Sequence, residues 1–255
     1  MIMCVLLRRG ACSWAFSATG SIEGAHAIKS KKLVSLSEQQ LVDCDMPPDG
    51  LAGKCCGVSN PKGCDCGCKG GIMSRAFRYV MAAGGLATEA AYNYTGQGGT
   101  CKKSVPAAAT ISGQVNLSVG DLGGLTAAVA TQGPVSVAID VNFCWQFYQK
   151  GSIFYGNTTG ADGKDYCSND GSPCSSKPVD LDHGVSPLFL IHLAYDNVHR
   201  LSVGLTAGVL VVGYGQATPP GGKEWDVWYV KNSWGPGYGD DGFMLYAPVA
   251  RTLSL

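Results

Sequence analysis

The sequence predicts an α+β protein of two lobes, helical in its first half and strand-rich in its second. Two observations carry this. Apolar residues recur at helical spacing up to about residue 83, whereas short β-branched runs dominate from Pro134 onward. Helices followed by strands segregate into separate layers or lobes, with a cleft between them as the usual place for a site. The division falls at 1–111 and 112–255.

Residues 13–31 predict one helix, because Trp14, Ala15, Ala18, Ile22, Ala25 and Ile28 form a stripe that Glu23 and Lys29 to Lys31 avoid. Ser37 to Cys44 predicts a short helix capped by Ser35 or Ser37. Residues 45–71, rich in Pro, Gly and Cys, predict a loop. Ile72 to Ala83 predicts a further helix, closed by Gly84-Gly85. Strands are expected at Pro134–Asp140, Val209–Gly213, Trp228–Lys231 and Gly242–Tyr246, and a long polar loop at 156–180.

Apolar residues make up 45% of the 255 and charged residues 15%, which excludes a disordered chain. The 36 glycines imply many tight turns. Nineteen basic residues balance nineteen acidic ones, so neither a nucleic-acid footprint nor a polybasic membrane patch is present. The apolar stretch Val185 to Val212 is broken by His192, Asp196, His199 and Arg200, and is no membrane span. Twelve cysteines point to disulfides in a secretory or lysosomal compartment, or to a metal site. The knot Cys55-Cys56, Cys64, Cys66, Cys68 lacks paired C-x2-C spacing and a nearby His, which favours disulfides. Sequons at Asn93, Asn116 and Asn157 fit an exported glycoprotein. Met1 to Arg9 does not settle the compartment: its apolar run, Met1 to Leu7, is at the lower length limit of a signal h-region, and its charges follow that run.

Three residue types could do chemistry together. Cys12 lies in the run Ala11-Cys-Ser-Trp-Ala-Phe-Ser17, at a predicted helix N-terminus that would lower a thiol pKa. His183 lies in Asp182-His-Gly184, and Asn232 in Lys231-Asn-Ser-Trp-Gly235. An imidazole takes a thiol proton, the thiolate attacks a carbonyl, and an amide orients the ring. His26 sits inside the first helix and reads as structural.

Several stretches together are specific: Trp14-Ala-Phe-Ser-Ala18, Leu36-Ser-Glu-Gln-Gln-Leu-Val-Asp-Cys-Asp45 and Gly67-Cys-Lys-Gly-Gly71. They continue with Gly133-Pro-Val-Ser-Val137, Asp182-His-Gly184, Val211-Val-Gly-Tyr-Gly215, Lys231 to Gly235 and Gly237 to Phe243. With these, over roughly residues 10–246, the chain resembles the papain-like (cathepsin-like) cysteine proteases, nearest the cathepsin F-like plant and algal members. The resemblance implies a papain-like two-lobe fold with a helical lobe, a β-barrel-like lobe and the active site between them. It implies a thiol endopeptidase needing no metal or cofactor. His183 would be general base and acid, Asn232 its orienter, and Trp234 the shield of that hydrogen bond. Gly70 and Gly71 would pair with the substrate backbone, while Met73, Ala138 and Gly184 would line the main specificity pocket. A monomer is expected, acting on proteins or peptides in a lysosome or vacuole or outside the cell, with no nucleic-acid or membrane partner.

The chain departs from that pattern at several places. The family thiol stands directly before the Trp, as in Cys-Gly-Ser/Ala-Cys-Trp. Here Ser13 holds that position and Cys12 precedes it. The oxyanion Gln expected six residues earlier is Leu7, and the Cys expected three earlier is Gly10, so Cys12 could capture Cys68. Residues 1–9 do not match the family. Residues 185–208 have no family counterpart, and deleting them joins His183-Gly184 to Val209. Because these 24 residues could begin with GT inside the Gly184 codon and end with AG, a retained intron is expected. No inhibitory prosegment precedes the match, and the tail after Tyr246 stops before the usual final strand. The alternative to an active thiol protease is a papain-fold pseudoprotease, with Ser13 at the nucleophile position, that binds peptides without cutting them.

Overall fold

The computed structural model describes residues 12–45, 65–118, 120–141, 145, 148–154, 158–159, 165–166, 205–219 and 221–247. Its helices are α1 (Ser13–Ser30), α2 (Glu38–Cys44), α3 (Met73–Ala83) and α4 (Leu122–Gln132), with a 3-10 turn at Gly67–Lys69. Its strands are β1 (Val135–Val141), β2 (Thr158–Thr159), β3 (Asp165–Tyr166), β4 (Leu205–Ala217), β5 (Trp225–Lys231) and β6 (Phe243–Tyr246).

Two hydrophobic cores define the lobes. One packs Trp14, Ala18 and Ile22 of α1 with Leu41 of α2, Val80 of α3 and the connecting residues Leu36 and Leu86. The other packs Val137 and Ile139 of β1, Val209 and Val211 of β4, Trp228 and Val230 of β5, Met244 of β6 and Trp145. The second core lies on an antiparallel sheet of order β1-β4-β5-β6.

Seven of the first ten residues of α1 are buried, where the helix runs between the lobes. Small residues let the strands approach. Ser17 donates its hydroxyl to the Val209 carbonyl at 2.7 Å, and Ser136 donates to the Ser17 carbonyl at 2.8 Å. A Cβ on Gly24 would lie 2.5 Å from the Pro134 ring.

The run from Ser37 to Asp43 serves structure. Ser37 caps α2, its hydroxyl accepting from Gln40 N–H at 3.0 Å and donating to the Tyr92 carbonyl at 2.6 Å. Gln39 reaches Asp43, Thr95 and Gln97, and Gln40 accepts from Ala87 N–H. These buried polar groups are satisfied by connecting loops, as burial requires. A disulfide between Cys44 and Cys101 ties the same loops.

The predicted helices at 13–31, 37–44 and 72–83 match within one residue. The strands match as well, with β4 longer at both ends and β5 longer at its start. The sequence reading left out α4. Its glycines, Gly123 and Gly124, hide the helix, and only Leu125 is buried, so no apolar stripe marks it. The polar 156–180 segment holds the short pair β2–β3, and the rest of that segment lies outside the described residues.

Candidate active site

Position 13 is the first residue of α1, and Cys12 is its N-cap, with φ −85° and no side-chain cap bond. The first-turn N–H groups of a helix lack intrahelical acceptors and carry the positive end of its dipole. Ser13 is half-buried there, and its hydroxyl oxygen accepts a hydrogen bond from Gly208 N–H of β4 at 3.1 Å. This contact joins the two lobes at the candidate nucleophile position.

Cys12 holds no free thiol. It is buried and forms a disulfide with Cys68, S–S 2.03 Å, so its sulfur is not available for attack in this oxidised form. Cys66 is disulfide-bonded as well.

The glycine loop sits against Trp14. Trp14 donates its indole N–H to the Gly67 carbonyl at 3.0 Å. A Cβ on Gly71 would lie 2.4 Å from the Trp14 ring, so that residue must be glycine. Gly70 has φ +124°, a conformation that glycine adopts without strain. Both of its backbone groups are used inside the loop: its carbonyl accepts from Cys66 N–H at 2.8 Å, and its N–H meets the Gly67 carbonyl at 3.4 Å.

Met73 opens α3 and is buried. Ala138 packs against the core cluster that contains Met73. Opposite Ala138 in the sheet stands Gly208, where an added Cβ would lie 3.2 Å from the Met73 sulfur and 2.9 Å from the Trp14 Cα. Met73, Ala138 and Gly208 therefore converge. Gly184, expected with Met73 and Ala138, lies outside the described residues, as does His183. Among the described residues the one histidine is His26, thirteen residues along α1 from Ser13, or about 20 Å at helical rise.

Asn232 follows β5 and is 7% exposed. Its Oδ1 accepts from Ser233 N–H at 2.8 Å, while its Nδ2 is buried without a hydrogen-bond partner. Trp234 packs edge-on to Tyr238, ring centroids 4.9 Å apart. Asn232 and Gly208 line one small pocket with Ser17, Thr19 and Glu38, of about 50 Å³. That is room for a few waters.

Sequence reasoning missed the strand residues Ala207-Gly208. A signal was present: Gly184-Val185 and Gly208-Val209 repeat the same dipeptide at the two ends of 185–208. It also missed Glu38, whose carboxylate accepts the Thr19 hydroxyl at 2.7 Å and which burial pushes up to about 7.

The arrangement is thus a helix N-terminus of one lobe set against a strand of the other, with the buried amide of Asn232 on the second lobe, in a two-lobed α+β fold. The chain belongs to the papain family of cysteine proteases, whose family model matches residues 8–166 and 192–251. His183 lies between the two matched stretches. A senescence-specific cysteine protease of Arabidopsis thaliana is 37% identical over 236 residues, 91% of this chain and 49% of that protein. Procathepsin L of Rattus norvegicus is 37% identical over 93% of this chain and 54% of that protein. Among solved structures, the bromelain protease from Ananas comosus in complex with the E64 inhibitor has a TM-score of 0.63 at 28% identity, covering 95% of this chain and 82% of that one. Digestive procathepsin L 3 of Tenebrio molitor larval midgut has a TM-score of 0.62 at 33% identity, covering 93% of this chain and 58% of that one. The fold is thus papain-like. The chain spans about half the length of the curated relatives it matches.

Proposed function

We propose that this is a cysteine-type endopeptidase of the papain family, hydrolysing peptide bonds in the cleft where α1 meets β4. The supporting observation is the hydrogen bond from Gly208 N–H to Ser13 Oγ, which sets position 13 against the strand of the opposite lobe. Position 13 is the nucleophile position, His183 the general base and acid, and Asn232 the orienter, its Oδ1 accepting the N–H of the imidazole nitrogen that faces away from position 13. Gly71 meets the substrate backbone, since Gly70 spends its own groups within the loop. Met73 and Ala138 line the specificity pocket with the glycine that precedes Val209. First-turn N–H groups of α1 stabilise the oxyanion.

The register of β4 supports a route by which His183 would reach this site. Removing residues 185–208 would put His183-Gly184 where Ala207-Gly208 now stand. In the full chain a methyl group occupies the strand position next to the Ser13 contact. Excision would supply the imidazole there, and it is the expected consequence of splicing a retained intron.

A second reading has its own support. The Cys12–Cys68 disulfide and a hydroxyl at position 13 favour a chain that binds peptides without cutting them. A serine proton is much harder to remove than a thiol proton.

The test uses a fluorogenic peptide and a peptidyl epoxide probe on four folded proteins: the full chain, the 185–208 deletion, Ser13→Cys, and the two changes together. Turnover and labelling at position 13 are expected in the combined variant alone, and His183→Ala should abolish both. A folded combined variant that neither labels nor cleaves would sink the endopeptidase assignment. Labelling of the full chain at Cys12 would overturn position 13 as the nucleophile position.

A further inference from the structure

We infer that Asp45 and Asp65 share a single proton, and that the shared proton positions the Gly70–Gly71 segment of the cleft. The inference rests on the reading of that segment as peptide-binding.

Asp45 closes α2, and Asp65 lies in the glycine loop, 1% exposed. The two carboxyl groups are hydrogen-bonding neighbours. Yet Asp45 Oδ2 and Asp65 Oδ2 are both buried with no donor. Two carboxylates cannot satisfy each other, since both only accept. One proton between them satisfies both oxygens at once, and like charges at such a site raise the affinity for it. Arg75 Nη1 lies 3.8 Å from Asp65 Oδ1, a contact that leaves both Oδ2 atoms without a donor. The other groups facing the pair are Arg78 and Tyr79 of α3. Burial and the Asp45 charge push the Asp65 carboxyl well above the usual range, which agrees with the geometry.

The proton reaches the cleft through Asp65. Its Oδ1 accepts from Ile72 N–H at 2.8 Å, directly after Gly71 and directly before Met73. The Asp65 carboxyl carbon would lie 2.9 Å from a Cβ on Gly71, so the carboxyl group packs under that glycine. With the proton present, Asp65 is held by Asp45 and holds Ile72. Without it, two buried negative charges repel across the contact that fixes the segment. Asp65 is thus a positioning residue for the peptide-pairing glycine, and its hold loosens as pH rises.

Asp65→Asn copies the protonated state, because its carbonyl oxygen can accept from Ile72 N–H while its amide donates to Asp45. Asp65→Ala removes both bonds. The experiment measures amide hydrogen exchange at Gly71 and Ile72 against pH in the full chain, corrected for intrinsic rates, with and without a short leucine-containing peptide amide. Protection at Ile72 is expected to fall about tenfold or more between acidic and alkaline pH in the native chain, to change less than about twofold in Asp65→Asn, and to be lost at all pH values in Asp65→Ala. A carbon-13 titration of the native carboxyl groups gives a second reading that needs no variant to fold: one of the pair must stay protonated far above pH 4. Ordinary titration of both near pH 4, or the same pH response in native chain and Asp65→Asn, would overturn the inference. The expected pH response without peptide protection of Gly71 supports the shared proton and counts against the peptide-binding reading beneath it.

Discussion

Glu38 shows how one buried side chain contributes to the pH response of this fold. Its carboxyl group is surrounded by α1 and α2, accepts from Thr19, and has Glu23 and Glu89 as like-charged neighbours. Desolvation by burial is the largest influence, and it pushes the group from 4.5 up to about 7. The folded state therefore binds this proton more tightly than the unfolded chain. Stability falls as pH rises from about 4.5 to about 7, and the penalty is complete above that. One pKa unit is about 1.4 kcal/mol, so the full penalty is on the order of 3 kcal/mol. Glu38→Gln keeps an oxygen for Thr19 and removes the titration. Denaturant unfolding from pH 4 to 8 should show a flatter profile for this variant, and an unchanged slope would show that Glu38 ionises freely. At this scale the sequence was legible in part. Ser37 could be read as a cap, but the mutual burial of Glu38, Gln39 and Gln40 could not, because each is satisfied by loops about 50 or more residues away or by the far helix.

At the scale of elements, α1 is the clearest case of a sequence written for a neighbour rather than for itself. Gly20 and Gly24 lower its intrinsic helix propensity by about 1 kcal/mol each. Both lie against the second lobe, where a Cβ on Gly20 would sit 2.9 Å from the Leu210 side chain and one on Gly24 2.5 Å from Pro134. Gly24→Ala should therefore cost about 1–3 kcal/mol through overpacking, despite the better helix former. Gly123 of α4 is the control. A Cβ there meets nothing closer than 3.8 Å, so Gly123→Ala should stabilise by about 0.5–1 kcal/mol. Thermal unfolding of both variants checks the pair, and equal effects of the same sign would refute the packing account of α1. The contrast also explains the missed helix. The glycines of α4 diluted its pattern, while the Asp121 cap, accepting from Gly124 N–H at 2.7 Å, was the available signal.

At the scale of the whole molecule, the site is made by two lobes that share no local sequence. The sequence motifs placed Ser13, Gly71, Met73, Ala138 and Asn232 in family order, but they could not show which residue stands beside Ser13 from the far lobe. That depends on the pairing of β1 with β4, a contact between segments some seventy residues apart. The register puts Gly208 opposite Ala138 and Ala207 opposite Ile139. Side chains alternate along a strand. Position 208 faces Trp14 and Met73, so position 207 faces the other way, and Ala207 does pack against the barrel-lobe core together with Trp234. An imidazole at position 207 would therefore start beside the Ser13 contact and extend toward the core of the second lobe, the lobe that carries Asn232. Ala207→His in the full chain tests this without deleting any segment. The new ring should titrate away from about 6.5, and Asn232→Ala should move it, both read by proton NMR of the imidazole resonance that the substitution adds. A ring at position 207 that titrates near 6.5 as a solvent-exposed histidine does, with no response to Asn232→Ala, would show that this strand position does not face the amide.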